Sequence, residues 1–140
     1  MSGVVVDASV AVKWFLPEVH SDAARRILSG KRKLLAPDLI WVEVGNVLWK
    51  KSRRAEITYE TARGILRDFR RFPLQNYAVK SLLEPAWDLA ERFRISVYDS
   101  VYLALAVSRN CTLVTADQQF FNAVKGTPVE SSMAWVESIR

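Results

Sequence analysis

One cysteine, Cys111, and one histidine, His20, stand among the 140 residues. A lone cysteine excludes an internal disulfide, and the two residues build neither a Cys/His zinc site nor a Ser-His-Asp machine. Only five glycines occur, and none falls in a glycine-rich phosphate loop. The longest purely apolar run, Val101 to Val107, is far too short to cross a bilayer. There is no repeat, low-complexity tract or Pro/Gly/Ser-rich linker, so residues 1–140 are expected to form one domain. The start, Met-Ser-Gly-Val-Val-Val-Asp, has no basic leader before its apolar stretch. With the scarcity of cysteine, this points to the cytoplasm.

Positive charge is missing where it would be most expected. Asp7 in VVVDASV, Glu43 in LIWVEVGNVLW, Asp99 in ISVYDSVYLALA and Asp117 in TLVTADQQFF all lie in apolar settings, with no Lys or Arg within three residues of any of them. A buried carboxylate costs several kcal/mol or more unless it is protonated, paired or placed on a cation. A bound divalent ion is the simplest supplier of the absent charge. Cations gather elsewhere: Arg25 to Arg71 holds 13 Lys/Arg against 5 Asp/Glu, and the remainder holds 7 against 10, which together give the net +5. A basic half beside an acidic site suits a polyanion such as nucleic acid, and equally suits a solvated basic surface.

Short apolar runs alternate with helical patterns. Val4–Val6 reads as a buried strand ending at Asp7, followed by a helix over Ala8–Leu16 that Pro17 stops. Ser21 or Asp22 can cap a helix over Ala23–Leu28 that Gly30 closes. Leu34–Ala36 is a candidate strand, and Pro37–Asp38 opens a helix to about Arg54. Thr58 caps the next helix, to Phe72, and Leu74–Val79 is a weak strand. Pro85 fits the first turn of a helix through Arg94, and Asp99 starts an apolar helix to about Arg109. Thr112–Thr115 reads as a strand, Asp117 caps a helix to Val124, and a strand near Val129 precedes a terminal helix at Met133–Ile139. The alternation predicts an α/β fold with a parallel sheet covered on both faces. In such sheets the functional crevice lies at the carboxyl ends of the strands, where strand order reverses.

Asp7, Asp99 and Asp117 each read as a helix cap or as a ligand. Glu43 does not fit a cap. Helical spacing sets it beside Ile40, Val44 and Val47 and points it toward the core, so the alternative is a pair with an Arg from elsewhere. Asn46, one turn on, can orient Glu43 or bind a water on a metal. Ser9, two residues after Asp7, and Thr115, two before Asp117, can hydrogen-bond a carboxylate or a ligated water. Arg63, Arg67, Arg70 and Arg71 make one helical stripe. Lys50, Lys51, Arg53 and Arg54 end the preceding helix, where they suit either its dipole or a phosphate. Trp41, Trp49, Tyr59 and Phe72 exceed what one core stripe needs, which leaves apolar surface for association.

An apolar strand into Asp-x-Ser, the E-x-x-N-x-L of Glu43, Asn46 and Leu48, the Y-D-S-x-Y-x-A-L-A of Tyr98 to Ala106 and the T-A-D of Thr115 to Asp117 occur in order along the chain. In this set the sequence resembles the PIN-domain proteins, and specifically the VapC-like ribonuclease toxins of prokaryotic type II toxin–antitoxin systems. The resemblance implies a three-layer α/β/α sandwich around a five-stranded parallel sheet. It also implies an Mg²⁺- or Mn²⁺-dependent endoribonuclease, with Asp7, Glu43, Asp99 and Asp117 as acidic ligands for one or two ions and Ser9, Asn46 and Thr115 in support. A homodimer and a cognate antitoxin partner are implied with it. Some members carry a further acid just after the fourth; here Gln118 and Gln119 follow.

Oxygen-only ligation suits Mg²⁺ or Mn²⁺. The expected chemistry is hydrolysis of RNA by metal-activated water, leaving a 5′-phosphate and a 3′-hydroxyl. The basic residues Lys50, Arg53, Arg63, Arg67 and Arg70 are the candidate RNA-binding side chains. Other readings are a PIN nuclease of RNA maturation and a non-catalytic RNA-binding module. A phospho-acceptor domain, which also gathers acids at strand ends, lacks here the closely paired first acid and late basic partner it wants.

Overall fold

A computed structural model describes residues 3–140. Five strands form one sheet in the order β3-β2-β1-β4-β5, every neighbouring pair parallel. They are β1 (Gly3–Val6), β2 (Lys33–Pro37), β3 (Gln75–Tyr77), β4 (Thr112–Thr115) and β5 (Met133–Trp135). The helices are α1 (Ala8–Ala11), α2 (Ser21–Arg26), α3 (Leu39–Arg53), α4 (Tyr59–Arg70), α5 (Val79–Phe93), α6 (Val97–Arg109) and α7 (Gln118–Val124). The central strands are apolar on both faces: Val5, Val6, Leu113 and Val114 are fully buried. That is the pattern of a sheet covered by helices on both sides, and the fold is the expected three-layer α/β/α sandwich. Val4, Val5 and Val6 face Thr112, Leu113 and Val114 in register. The chain winds outward from β1 to β2 and β3 on one side and then to β4 and β5 on the other. Strand order therefore reverses at the β1–β4 junction, and the crevice that such a reversal opens lies beyond Val6 and Thr115.

Several element boundaries differ from the sequence expectation, each for a local reason. The first helix is α-helical only over Ala8–Ala11 and tightens into a 3-10 turn over Val12–Trp14 before Pro17. Neither Ser21 nor Asp22 caps α2. The cap position is His20, in the left-handed region at φ 69°. Ser21 is instead spent on the preceding loop, donating to the Leu16 carbonyl (2.6 Å) and accepting the Glu18 N–H (2.9 Å). Pro85 lies inside α5, which begins six residues earlier than its proline suggested. The apolar stripe of Leu82 and Ala86 is buried while Pro85 is exposed, so the missing N–H falls on the solvent side, where water can serve the freed carbonyl. Asp38 Oδ1 also accepts the N–H of Val79 and helps to set the true start (3.2 Å).

The last segment inverts the expectation. Glu130–Ser132 is a 3-10 turn, Met133–Trp135 is strand β5 in place of a helix, and a second 3-10 turn covers Val136–Ser138. The free edge of β4 takes Met133, Ala134 and Trp135 opposite Leu113, Val114 and Thr115. A backbone edge left unpaired beside a buried strand is costly, and this pairing satisfies it.

Candidate active site

Three of the four acids lie at or next to the carboxyl ends of β1 and β4 or at the start of α6, and the fourth comes from α3. Asp7 directly follows β1 and is 5 % exposed. Its Oδ1 accepts from the Ser9 hydroxyl (2.5 Å) and the Val10 N–H (3.2 Å), and its Oδ2 from the Thr115 hydroxyl (2.5 Å). The two hydroxyls are themselves held: Ser9 Oγ accepts the Ala116 N–H (3.0 Å) and Thr115 Oγ1 the Asp117 N–H (3.1 Å). Ser9 and Thr115 thus both donate to Asp7 and stitch the end of β1 to the end of β4. Burial pushes the Asp7 carboxyl up to about 6, against the pull of those hydrogen bonds.

Asp117 caps α7, its Oδ1 accepting the Phe120 N–H (3.1 Å). Asp7 caps α1 in the same way. Asp99 does not cap α6. Ser96 does so, accepting the Asp99 N–H (3.0 Å), which puts Asp99 in the first turn, where the Ser96 side chain also pulls its carboxyl down. The Ser96-x-x-Asp99 spacing is the sequence signal for that cap, and it outranks the expected start at Asp99. Burial first, then the charges of Asp7, Asp117 and Glu43, raise the Asp99 carboxyl to about 6. Asp99 therefore lies within electrostatic reach of all three other acids.

Glu43 faces this crevice rather than the core. Ile40, Val44 and Leu48 make the buried stripe of α3, and Glu43 and Val47 are half-buried at its edge. Asn46 is exposed. The group that holds Glu43 is Tyr102, whose hydroxyl donates to Oε1 (2.6 Å). Tyr102 is 1 % exposed, and burial, followed by the Glu43 charge, moves its phenol well above the usual range. Among the described residues the ion pairs leave all four acids out, so the expected alternative of an Arg beside Glu43 is not realised. Among the same residues, no three His, Cys, Asp or Glu side chains are drawn together tightly enough to close on an ion.

The basic residues collect around a second feature. Arg63, Arg67 and Arg70 of α4 rim a groove of about 530 Å³ between α3 and α4, which is floored by Leu48, Trp49 and Leu66. Arg53 lies over the Trp49 ring and Arg63 over the Tyr59 ring, each 5.9 Å from the centroid. Lys51 is tied to Glu18 and Glu56, and Arg54 to Glu56. Lys50, Arg53, Arg63, Arg67, Arg70 and Arg71 enter no ion pair among the described residues. Of the surplus aromatics, Trp49 and Tyr59 are exposed. Phe72 stacks on Trp14, and Trp41 leans on Phe69 and donates to Asn76 Oδ1 (2.9 Å).

Residues 4–126 match the PIN domain family. Ribonuclease VapC3 of Pyrobaculum aerophilum is 35 % identical over 118 residues, which cover 83 % of this chain and 90 % of that protein. The chain belongs to the PIN domain family, and within it to the VapC ribonucleases. The fold recurs in Mycobacterium tuberculosis VapC20, a sarcin-ricin loop cleaving toxin (TM-score 0.66, 17 % identity, 86 % of this chain and 95 % of that one). It recurs also in a toxin-antitoxin complex from Klebsiella pneumoniae (TM-score 0.68, 12 % identity, 98 % of this chain and 100 % of that one). No helix is long and apolar enough to cross a membrane among the described residues.

Proposed function

We propose that this protein is a divalent-metal-dependent endoribonuclease, the toxin of a toxin–antitoxin pair, with Asp7, Glu43, Asp99 and Asp117 as the ligands of Mg²⁺ or Mn²⁺. The observation that carries this reading is the crevice with four acids and, among the described residues, no cation paired to any of them. Asp99 is raised first by burial and then by the other three charges, and it has no helix to cap, which is the state of a carboxylate awaiting a positive partner. The all-oxygen donor set fits a hard divalent ion. Such an ion, when bound, offsets the carboxylate repulsion, lowers the pKa of a water and stabilises charge on the phosphodiester.

The protein's own residues do the rest. Ser9 and Thr115 fix Asp7 from both oxygens; Oδ1 also accepts the Val10 N–H, and Oδ2, which accepts from Thr115, keeps lone-pair capacity for an ion. Asp117 is anchored through its Oδ1, and Asp99 stands in the first turn of α6, within electrostatic reach of the other three acids. RNA is expected along α3 and α4, where Lys50, Arg53, Arg63, Arg67 and Arg70 offer unpaired positive charge. The similarity to ribonucleases supports RNA as substrate, and the fold shared with a toxin-antitoxin complex supports an antitoxin partner. The exposed Trp49 and Tyr59 supply apolar surface for that partner or for a second copy in a homodimer.

The direct test is cleavage of a single-stranded RNA in Mg²⁺ or Mn²⁺. Cutting is expected with either ion and should stop with EDTA; cleavage that continues at full rate in EDTA overturns the reading. A second test addresses the substrate surface. Replacing Arg63, Arg67 and Arg70 together with Gln should weaken RNA binding across all sequences and lower the salt slope by about 2–3, close to one for each phosphate no longer neutralised. Unchanged affinity and slope would assign the stripe to solvent or to a protein partner.

A further inference from the structure

Glu43 differs from the other ligand candidates in how it is held. Asp7 and Asp117 have short side chains fastened to backbone N–H groups at the starts of α1 and α7. Glu43 sits in the interior of α3, where every backbone N–H is already committed to the helix, on a side chain with three rotatable bonds. Left alone, such a side chain spreads over several rotamers, and ordering it on an ion costs conformational entropy.

Tyr102 removes that freedom. It comes from α6, three residues after Asp99, so one helix face delivers both groups to the crevice. Its ring is buried in the hydrophobic core, 1 % exposed, which fixes where the hydroxyl points. That hydroxyl donates to Glu43 Oε1 at 2.6 Å and, among the described residues, leaves Oε2 without a side-chain partner.

We infer that Tyr102 is a positioning residue that locks the Glu43 carboxylate for ion binding, with one oxygen spent on the phenol and the other presented to the crevice. This inference rests on the reading of the acids as metal ligands. It adds a residue that neither binds the ion nor touches RNA. Two of the ligand candidates, Asp99 and Glu43, are thereby coupled through α6, so a shift of that helix moves both.

Tyr102→Phe removes one oxygen and keeps the ring that fills the core, and Glu43, half-exposed, can hydrate the freed Oε1. Mn²⁺ binding measured by calorimetry or by the spectrum of free Mn²⁺ is the primary readout. Groups that orient ligands typically change metal affinity by roughly 10–100-fold, and Tyr102→Phe is expected to weaken Mn²⁺ by about tenfold at the low end of that range. The metal-free melting temperature should move little. RNA cleavage should fall at limiting Mn²⁺ and recover at high Mn²⁺, with the affinity for RNA unchanged.

A double-variant cycle separates positioning from general damage. In a Glu43→Gln background, Tyr102→Phe should weaken Mn²⁺ no further, because its effect passes through the Glu43 carboxylate. Parental Mn²⁺ affinity in Tyr102→Phe, or an equal loss with and without the Glu43 carboxylate, would overturn the positioning role while leaving the metal site standing. If the parental protein takes up no Mn²⁺ at all, the ligand reading fails, and the inference fails with it.

Discussion

Asp99→Asn is expected to fold normally and to lose RNA cleavage. The substitution keeps the shape of the side chain and removes the negative charge. It cannot uncap α6, because the Asp99 N–H is already taken by Ser96 (3.0 Å). It also relieves repulsion: Asp99 is raised to about 6 by burial and by the charges of Asp7, Asp117 and Glu43, so near pH 8 its ionised form is a cost to the metal-free fold. The melting temperature without divalent ions should therefore equal or exceed the parental value. Changes in groups that only orient ligands cost roughly 10–100-fold, so loss of a ligand's charge should reduce cleavage by about 100-fold or more. Circular dichroism melts and cleavage assays on one preparation decide the matter. A folded Asp99→Asn protein that cuts RNA at the parental rate would end the proposed mechanism.

The metal-free protein should lose stability as the pH rises from 5 to 8, and Mn²⁺ should restore it. Asp7 and Asp99 both have folded-state values of about 6, above the ordinary 3.8. The folded form therefore holds protons that the unfolded chain releases. The associated stability is fully present below pH 4 and is lost as pH rises through about 6. A shift of about two units on the buried Asp7 corresponds to about 3 kcal/mol at most. Asp99, partly exposed, adds a smaller amount, and the titration belongs to the cluster rather than to either residue. Glu18 and Glu137 act in the opposite sense. Glu18, although burial pushes it up, is held low by Lys13 and Lys51, and Glu137 is held low by His20 and Arg26. Their own carboxylates contribute stability that fades only below the ordinary carboxylate range.

An ion bound only to the folded state at 100 times its Kd adds about 2.7 kcal/mol, which offsets most of the loss at pH 8. Urea denaturation at several pH values, with and without Mn²⁺, checks both halves. A profile that is flat from pH 5 to 8 and indifferent to Mn²⁺ would show that the four carboxylates neither repel one another nor meet an ion.

The local sequence by itself determined most of the elements up to β4. Three consecutive valines before Asp7 make a buried strand, Thr58 and Asp117 cap the helices that follow them, and the alternation of short strands with helices requires a parallel sheet. These signals act within a few residues, through caps, apolar periodicity and backbone satisfaction, so the chain displays them directly. The four acids were legible for a related reason: a carboxylate without a nearby cation in an apolar run is costly, and the cost is visible without a structure.

Only the tertiary structure decided how those acids are held. Thr115 reaches Asp7 across 108 residues of chain, and Tyr102 reaches Glu43 across 59. Thr115 stands out in the sequence as a hydroxyl able to reach a carboxylate, but nothing local says which acid it or Tyr102 meets, because those pairings arise from a strand order that sets β4 beside β1 and from the packing of α6 against both. The same long-range terms started α5 before its proline and turned the terminal helix expected at Met133–Ile139 into β5. In both places, packing on α6 or on the open edge of β4 outweighed a local preference worth a few kcal/mol at most.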